Sequence, residues 1–318
     1  MSLVAWILWN SGEGRLRTLW RLVVAVAALA VFGGVVAAAQ SRLRIPTSIS
    51  PLMQLATGIG MLGVIAAVCR SVDRRRFSSL GLRMNRRWWI ELAIGFAIGG
   101  GMLTGVFAVS VLAGWTRVTG RFAVDDALGS LPLAIATALT SHILTAVLEE
   151  IVLRAYPLRN LAEGLRGPLG GGLRSTLAAW LITGVGFGVL HAGNPNASVA
   201  ATLNVAGAGL LLGLGYVLTG QLALPIGLHL GWNLFEGSVF GFPVSGHAAP
   251  MTVLATETDG PTIWTGGAFG PEAGILCTAS MVLGAAAVAW VSPGRSGRVC
   301  VRTELADFER DSLAPGKS

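Results

Sequence analysis

The stretch Leu131-Pro-Leu-Ala-Ile-Ala-Thr-Ala-Leu-Thr-Ser-His142-Ile-Leu-Thr-Ala-Val-Leu-Glu149-Glu150-Ile-Val-Leu-Arg154 decides the fold. Its apolar part, Leu131–Leu148, has the length of a membrane span, since a crossing helix needs about 20 apolar residues. It nevertheless carries a histidine and runs directly into two carboxylates and an arginine. Ionisable groups at the end of a spanning helix are costly and point to function rather than to decoration.

The rest of the chain agrees with a bilayer. Of 318 residues, 53% are hydrophobic and 12% charged, and the mean hydropathy is +0.67. Soluble domains carry about 25% charged residues, so a soluble enzyme is excluded, and so is a disordered chain. Seven more apolar segments stand out: Leu22–Ala39, Leu52–Cys69, Leu92–Trp115, Ser175–His191, Ala197–Leu218, Leu222–Phe240 and Ala273–Val291. The expected fold is all-α, a polytopic bundle of about eight transmembrane helices. The first segment is too long for a signal-peptide core and is read as a retained helix.

Net charge is +7, and every basic residue but Lys317 is Arg. That bias and the 44 glycines suggest a GC-rich bacterial source. The positive-inside rule explains the basicity without nucleic acid. Alternating connections put 19 of the 23 basic residues on one side, so the protein is expected to be a multi-pass cell-membrane protein with both termini cytoplasmic. Arg70-Ser-Val-Asp-Arg-Arg-Arg76 is read as a topology anchor touching lipid headgroups, Glu91 beside Trp88 and Trp89 as interfacial, and Ser292–Ser318 as a flexible tail. Three unpaired cysteines give neither a disulfide framework nor a metal motif.

The chemistry sits between residues 131 and 240. Adjacent helical residues point about 100° apart, so Glu149 and Glu150 face different ways. Glu150 and Arg154 have the favoured spacing for an ion pair, which leaves Glu149 free; the plainer alternative pairs both with arginines. Phe187 and His191 share a helix face, as do His229 and Asn233, with Glu236 continuing that face. A carboxylate with a histidine can activate water, and a histidine with an amide can hold an oxyanion. The alternative is polar glue between helices. His142 is assigned to packing or hydrogen bonding, and Asn194 and Asn196 to turn chemistry. His-Glu-x-x-His, Gly-x-Ser-x-Gly, Gly-x-Ser-Gly and Gly-x-Gly-Asp are all missing.

Glu149-Glu150-x-x-x-Arg154, then Phe187-x-x-x-His191, then His229-x-x-x-Asn233, each on an apolar span, resemble the CAAX protease and bacteriocin-processing (CPBP) family of intramembrane proteases. That family includes the type II CAAX prenyl endopeptidases and abortive-infection-type homologues. Trp232–Gly246 and Asp73–Leu82 look like bacterial members. The resemblance implies that Glu149 and His191 activate water, that His229 and Asn233 hold the oxyanion, and that Glu150, Arg154 and Phe187 support them. Two versions stay open, glutamate-dependent chemistry without a cofactor and a zinc held by Glu149, His191 and His229.

The implied organisation is an N-terminal helical unit over 1–130, a catalytic core over 131–246, and an outer loop, last helix and tail over 247–318. The implied partners are the bilayer and a membrane-embedded or lipidated protein or peptide substrate. A non-catalytic scaffold or immunity protein with the same fold is the alternative. One geometric condition follows. With straight helices of the lengths given, Glu149 and His191 lie toward opposite ends of their spans, so the fourth helix must run on past Glu150, to about Leu161, and bend near Pro157.

Overall fold

The computed structural model describes residues 7–43, 51–292 and 298–308. The 44–50 connection and the tail beyond residue 308 lie outside them. After a small hairpin, β1 (Trp9–Asn10) and β2 (Arg15–Leu16), come α1 (Thr18–Leu43), α2 (Pro51–Ser71) and α3 (Arg86–Leu112). Strand β3 (Thr116–Val124) precedes α4 (Leu131–Leu165). Then follow α5 (Gly172–His191), α6 (Val199–Thr219), α7 (Ala223–Asn233), β4 (Met251–Thr258) and α8 (Ile275–Val291).

The protein is a mostly helical membrane bundle. Among the described residues, six helices, α1 to α6, are long and apolar enough to cross a bilayer. The other two expected spans come out shorter. Ten of the eleven residues of α7 are buried, so it is an apolar helix enclosed on all sides by protein. Hydropathy cannot distinguish such a core helix from a lipid-facing one. Aliphatic side chains exposed on α1, α2 and α8, such as Val26, Ile59 and Leu283, give the bundle an apolar outer surface.

Local sequence sets the ends of the elements. Asn85 caps α3 by accepting from the Trp88 amide at 3.0 Å, and Ser198 caps α6 by accepting from the Ala201 amide at 3.1 Å. Gly220, at φ +69°, ends α6 in a left-handed residue.

Packing rests on small residues. Gly95 and Gly99 of α3 meet the carbonyls of Leu224 and Leu228, while Gly227 and Gly231 of α7 meet those of Leu92 and Phe96. A side chain at any of these glycines would strike the backbone of the other helix. The small-residue stripe of α6 works the same way, since Gly209 lies against the Gly184 carbonyl of α5.

Helix α4 runs four residues beyond the expected Leu161 and contains a π-helical turn at Glu150–Ala155. There the Tyr156 amide bonds to the Ile151 carbonyl, five residues back. Pro157 lacks an N–H and would crowd the carbonyl of Leu153; the widened turn accommodates it, so the chain continues rather than breaks. A second π turn, Leu234–Val239, extends α7.

One end of the bundle collects the Arg-rich segments. Within the Arg70–Arg76 anchor, Asp73 and Arg75 are buried, whereas Arg70 and Arg76 stay exposed. Glu163 Oε2 of α4 accepts from Arg75 at 2.6 Å, Arg15 at 2.8 Å and Arg21 at 3.2 Å, and Arg21 also reaches Asp73 at 3.3 Å. Charges brought this far from water require partners, which draws the loop inward. Nor are the described tail residues, 298–308, loose. The Arg302 amide bonds to the Val217 carbonyl at 2.8 Å, Leu305 and Ala306 are buried, and the Arg15 guanidinium stacks 3.4 Å from the Phe308 ring. Glu91 accepts from Arg87 Nε at 2.7 Å, one turn earlier on α3.

The opposite end carries a two-stranded antiparallel sheet of β3 and β4, with Thr116 opposite Thr258 and Val124 opposite Met251. These strands occupy connections expected to be loops. Their partners are more than a hundred residues apart in the chain, so local pattern alone does not join them.

Candidate active site

The widened turn of α4 places its two glutamates in separate environments. Glu150 is fully buried and paired with Arg154, Nε to Oε2 at 2.6 Å and Nη2 to Oε1 at 3.2 Å. Arg154 Nη1 also donates to the Gly209 carbonyl at 2.6 Å, fastening α4 to α6. Gly213, beside this guanidinium, leaves room for the Trp180 ring, because a Cβ there would stand 2.6 Å from Trp180 Cδ1. Breaking such a buried pair costs about 3–5 kcal/mol.

Glu149 faces the interior cavity. Its Oε2 lies 3.9 Å from Nε2 of His191 and 3.9 Å from Nε2 of His229, and has no hydrogen-bond partner among the described residues. The opposite-end problem is resolved by the length of α4. Measured from Leu165 and Gly172, Glu149 and His191 stand about 24 Å and about 28 Å along their helices at 1.5 Å per residue.

The far nitrogen of each histidine is held. His191 Nδ1 sits 2.7 Å from the Phe187 carbonyl, which only accepts, so Nδ1 carries the hydrogen. Neutral His191 therefore presents a lone pair at Nε2. His229 Nδ1 lies 3.2 Å from Glu150 Oε1, which fixes its hydrogen in the same way. The Phe187 ring packs 4.5 Å from His191 and 6.2 Å from His229, with Arg154 5.1 Å from its centroid. Asn233 lines the cavity one helical turn beyond His229. Glu236 does not continue that face. It is fully buried and accepts from Trp232 Nε1 at 2.9 Å, because the second π turn changes the helix phase after Asn233.

The cavity encloses about 490 Å³. All four histidines of the chain line it, including His247, expected to lie apart from the others. His142 has the hydrogen-bonding role expected of it, with Nε2 2.9 Å from Ser238 Oγ. Asn196 adopts φ +60°, as turn chemistry predicts, whereas Asn194 also lines the cavity and donates to the Ser245 carbonyl at 3.1 Å.

Sequence reading misses Glu272 and Ser245. Glu272 is buried in the cavity wall, and its Oε2 accepts from Ser245 N at 2.7 Å and Ser245 Oγ at 2.6 Å. The available signal was an acid in the apolar run Ala268-Phe-Gly-Pro-Glu272-Ala, immediately before the last helix.

A zinc at Glu149, His191 and His229 fits poorly. Ligand atoms 2.0–2.1 Å from a tetrahedral zinc stand about 3.4 Å apart, whereas Glu149 Oε2 is 3.9 Å from both ring nitrogens. No group of three His, Cys, Asp or Glu among the described residues is arranged to hold a metal.

Fold and site together define a polytopic membrane protein with a carboxylate set between two histidines in an interior cavity. Residues 131–235 match the family model described as type II CAAX prenyl endopeptidase Rce1-like, in keeping with the order of the motifs. The matched segment runs from the start of α4 to Phe235 and includes Glu149, His191, His229 and Asn233. It supports intramembrane endopeptidase activity in general terms. Searches of curated proteins and of solved structures find no significant match.

Proposed function

We propose that this protein is an intramembrane endopeptidase that cleaves a membrane-associated or lipid-modified protein or peptide. The observation that carries the reading is Glu149 Oε2, unpartnered and equidistant from two histidine nitrogens in an enclosed cavity. A carboxylate oxygen and the lone pair of neutral His191 both accept, so a water between them can donate one hydrogen to each. Attack of that water on the scissile carbonyl transfers a proton to Glu149. The oxyanion is held by the Asn233 amide and by His229. For His229 to donate from Nε2 it must carry both protons, its Nδ1–H donating to Glu150 Oε1. Glu149 then returns its proton to the leaving amine.

The catalytic unit is residues 131–246, framed by 1–130 and 247–318. The protein lies in the cell membrane with its Arg-rich end and both termini in the cytoplasm, following the positive-inside rule. The cavity then opens away from the cytoplasm, beside the β3–β4 sheet.

The test compares membrane-protein termini by mass spectrometry in cells expressing the wild type or Glu149→Gln at matched levels. New termini with the wild type alone support the reading. Glu149→Gln should cut cleavage by about 10²–10⁴-fold, the range for loss of a general base, without loss of folded protein. Identical termini across growth conditions would leave the scaffold or immunity role.

A further inference from the structure

Glu272 is a carboxylate that the proposed hydrolysis leaves unused. It sits in the short turn Pro271–Ala273 ahead of α8, and the fold is built to hold it in the cavity wall. Ser245 adopts φ +47°, a left-handed conformation uncommon outside glycine, and from there gives Glu272 Oε2 both its amide and its hydroxyl hydrogen. The two loops are joined further by the Gly246 amide bonding to the Phe269 carbonyl at 2.7 Å, and by Gly270, at φ +108°, packed against the Pro243 carbonyl. Glu272 Oε1 receives no hydrogen bond from the described residues.

The charge balance of the cavity gives this oxygen a purpose. The lining residues include two carboxylates, Glu149 and Glu272, and no Lys or Arg. The one cation that the proposed hydrolysis places there, protonated His229, bonds to Glu150 and faces Glu149. The guanidinium of Arg154, behind the wall, is already taken by Glu150 and the Gly209 carbonyl. A carboxylate shielded from water and with no cation bonded to it binds an incoming one strongly, because the low local dielectric amplifies the attraction. An acidic side chain in the same place would meet repulsion.

We propose that Glu272, positioned by Ser245, is a specificity-determining residue that receives a Lys or Arg side chain of the substrate beside the scissile bond. This rests on the endopeptidase reading. Selection would come from an ion-paired hydrogen bond to Oε1, of which a neutral donor supplies only the hydrogen bond and an apolar side chain neither part.

The test uses the purified full chain in lipid nanodiscs and a proteome-derived peptide library. The library is cut beforehand at acidic residues, so that Lys and Arg remain inside the peptides. Cleaved sites are sequenced for the wild type, Glu149→Gln, Glu272→Gln and Glu272→Asp. The wild type should enrich Lys or Arg at one position beside the cut by at least about fivefold over library frequency, within what one hydrogen bond to a charged group supplies. Glu272→Gln, an isostere, should bring that enrichment close to one, and Glu272→Asp should retain part of it.

A purely structural role for Glu272 would lower all cleavage in proportion and leave the enrichment intact, which would overturn the proposal. So would wild-type cleavage with no basic preference, a result available even if a variant fails to fold. Wild-type cleavage no greater than that of Glu149→Gln would instead sink the endopeptidase reading, and this inference with it.

Discussion

At the scale of single residues, the site is organised by what each polar atom already holds. Glu150 is consumed by Arg154 and His229, His191 Nδ1 by a backbone carbonyl, and Glu236 Oε2 by Trp232. Glu149 Oε2 is left as the unpartnered oxygen between the histidines. The i, i+4 spacings made most of this legible, because they fix which side chains can meet on one helix. Glu272 was not legible, since its partner Ser245 lies on a different loop. Burial raises the carboxyl pKa of Glu272, and the two Ser245 hydrogen bonds only partly oppose this. A raised native pKa means that the folded state holds the proton more tightly than the unfolded chain does. Its contribution to stability therefore falls as pH rises through the window above the ordinary carboxylate value. Glu272→Gln has no such loss. Its thermal stability in nanodiscs should match the wild type at acidic pH and exceed it at neutral pH; an unchanging difference across that range would contradict the assignment.

At the scale of elements, the decisive pair is α3 and α7. Gly95-x-x-x-Gly99 and Gly227-x-x-x-Gly231 bring the backbones together, so α7 can carry His229 and Asn233 into the cavity while packed against α3. Both repeats stand in the sequence, but spacing alone does not say which helix a glycine faces. Gly99→Leu should prevent this approach and cost more than the about 1–3 kcal/mol typical of overpacking, since backbone rather than a flexible side chain stands in the way. Thermal unfolding and the yield of monodisperse protein would register the loss, whereas Gly101→Leu should be tolerated, since Gly101 is exposed and a Cβ there meets nothing within 4 Å. The π turns and the β3–β4 sheet were illegible for related reasons. Hydropathy reports burial but not hydrogen-bond spacing, and strand pairing across α4 to α7 depends on the assembled bundle.

At the scale of the whole molecule, one end of the bundle holds the ionic cluster and the other carries the sheet, with the cavity between α4, α5 and α7. The positions of the apolar segments were legible because bilayer thickness sets their length. The burial of Arg15, Arg21 and Arg75 was not, because their shared partner, Glu163, comes from the far end of α4. Glu163→Gln should leave three buried arginines short of charge and destabilise the protein by about 3–5 kcal/mol. Cleavage per folded molecule should persist, because Glu163 is remote from Glu149 along the helix. Unfolding in nanodiscs measured beside cleavage rate separates the two effects.

The wide turn at Glu150–Ala155 gives α4 something like a reading frame. Glu149 is counted from the start of the helix, and Glu163 from beyond the turn. Removing one residue from within it, such as Val152, would rewind the segment as ordinary α-helix, because the i→i+5 turn holds one residue more than an α turn; the helix beyond would keep nearly the same phase, and Glu163 would still face its arginines. The arginine of the turn, however, would stand three places after Glu150 instead of four. Substitutions here change one contact at a time, whereas a change in length dismantles the turn that separates Glu149 from Glu150. Homologous chains should therefore vary in the letters of this turn before they vary in its number of residues.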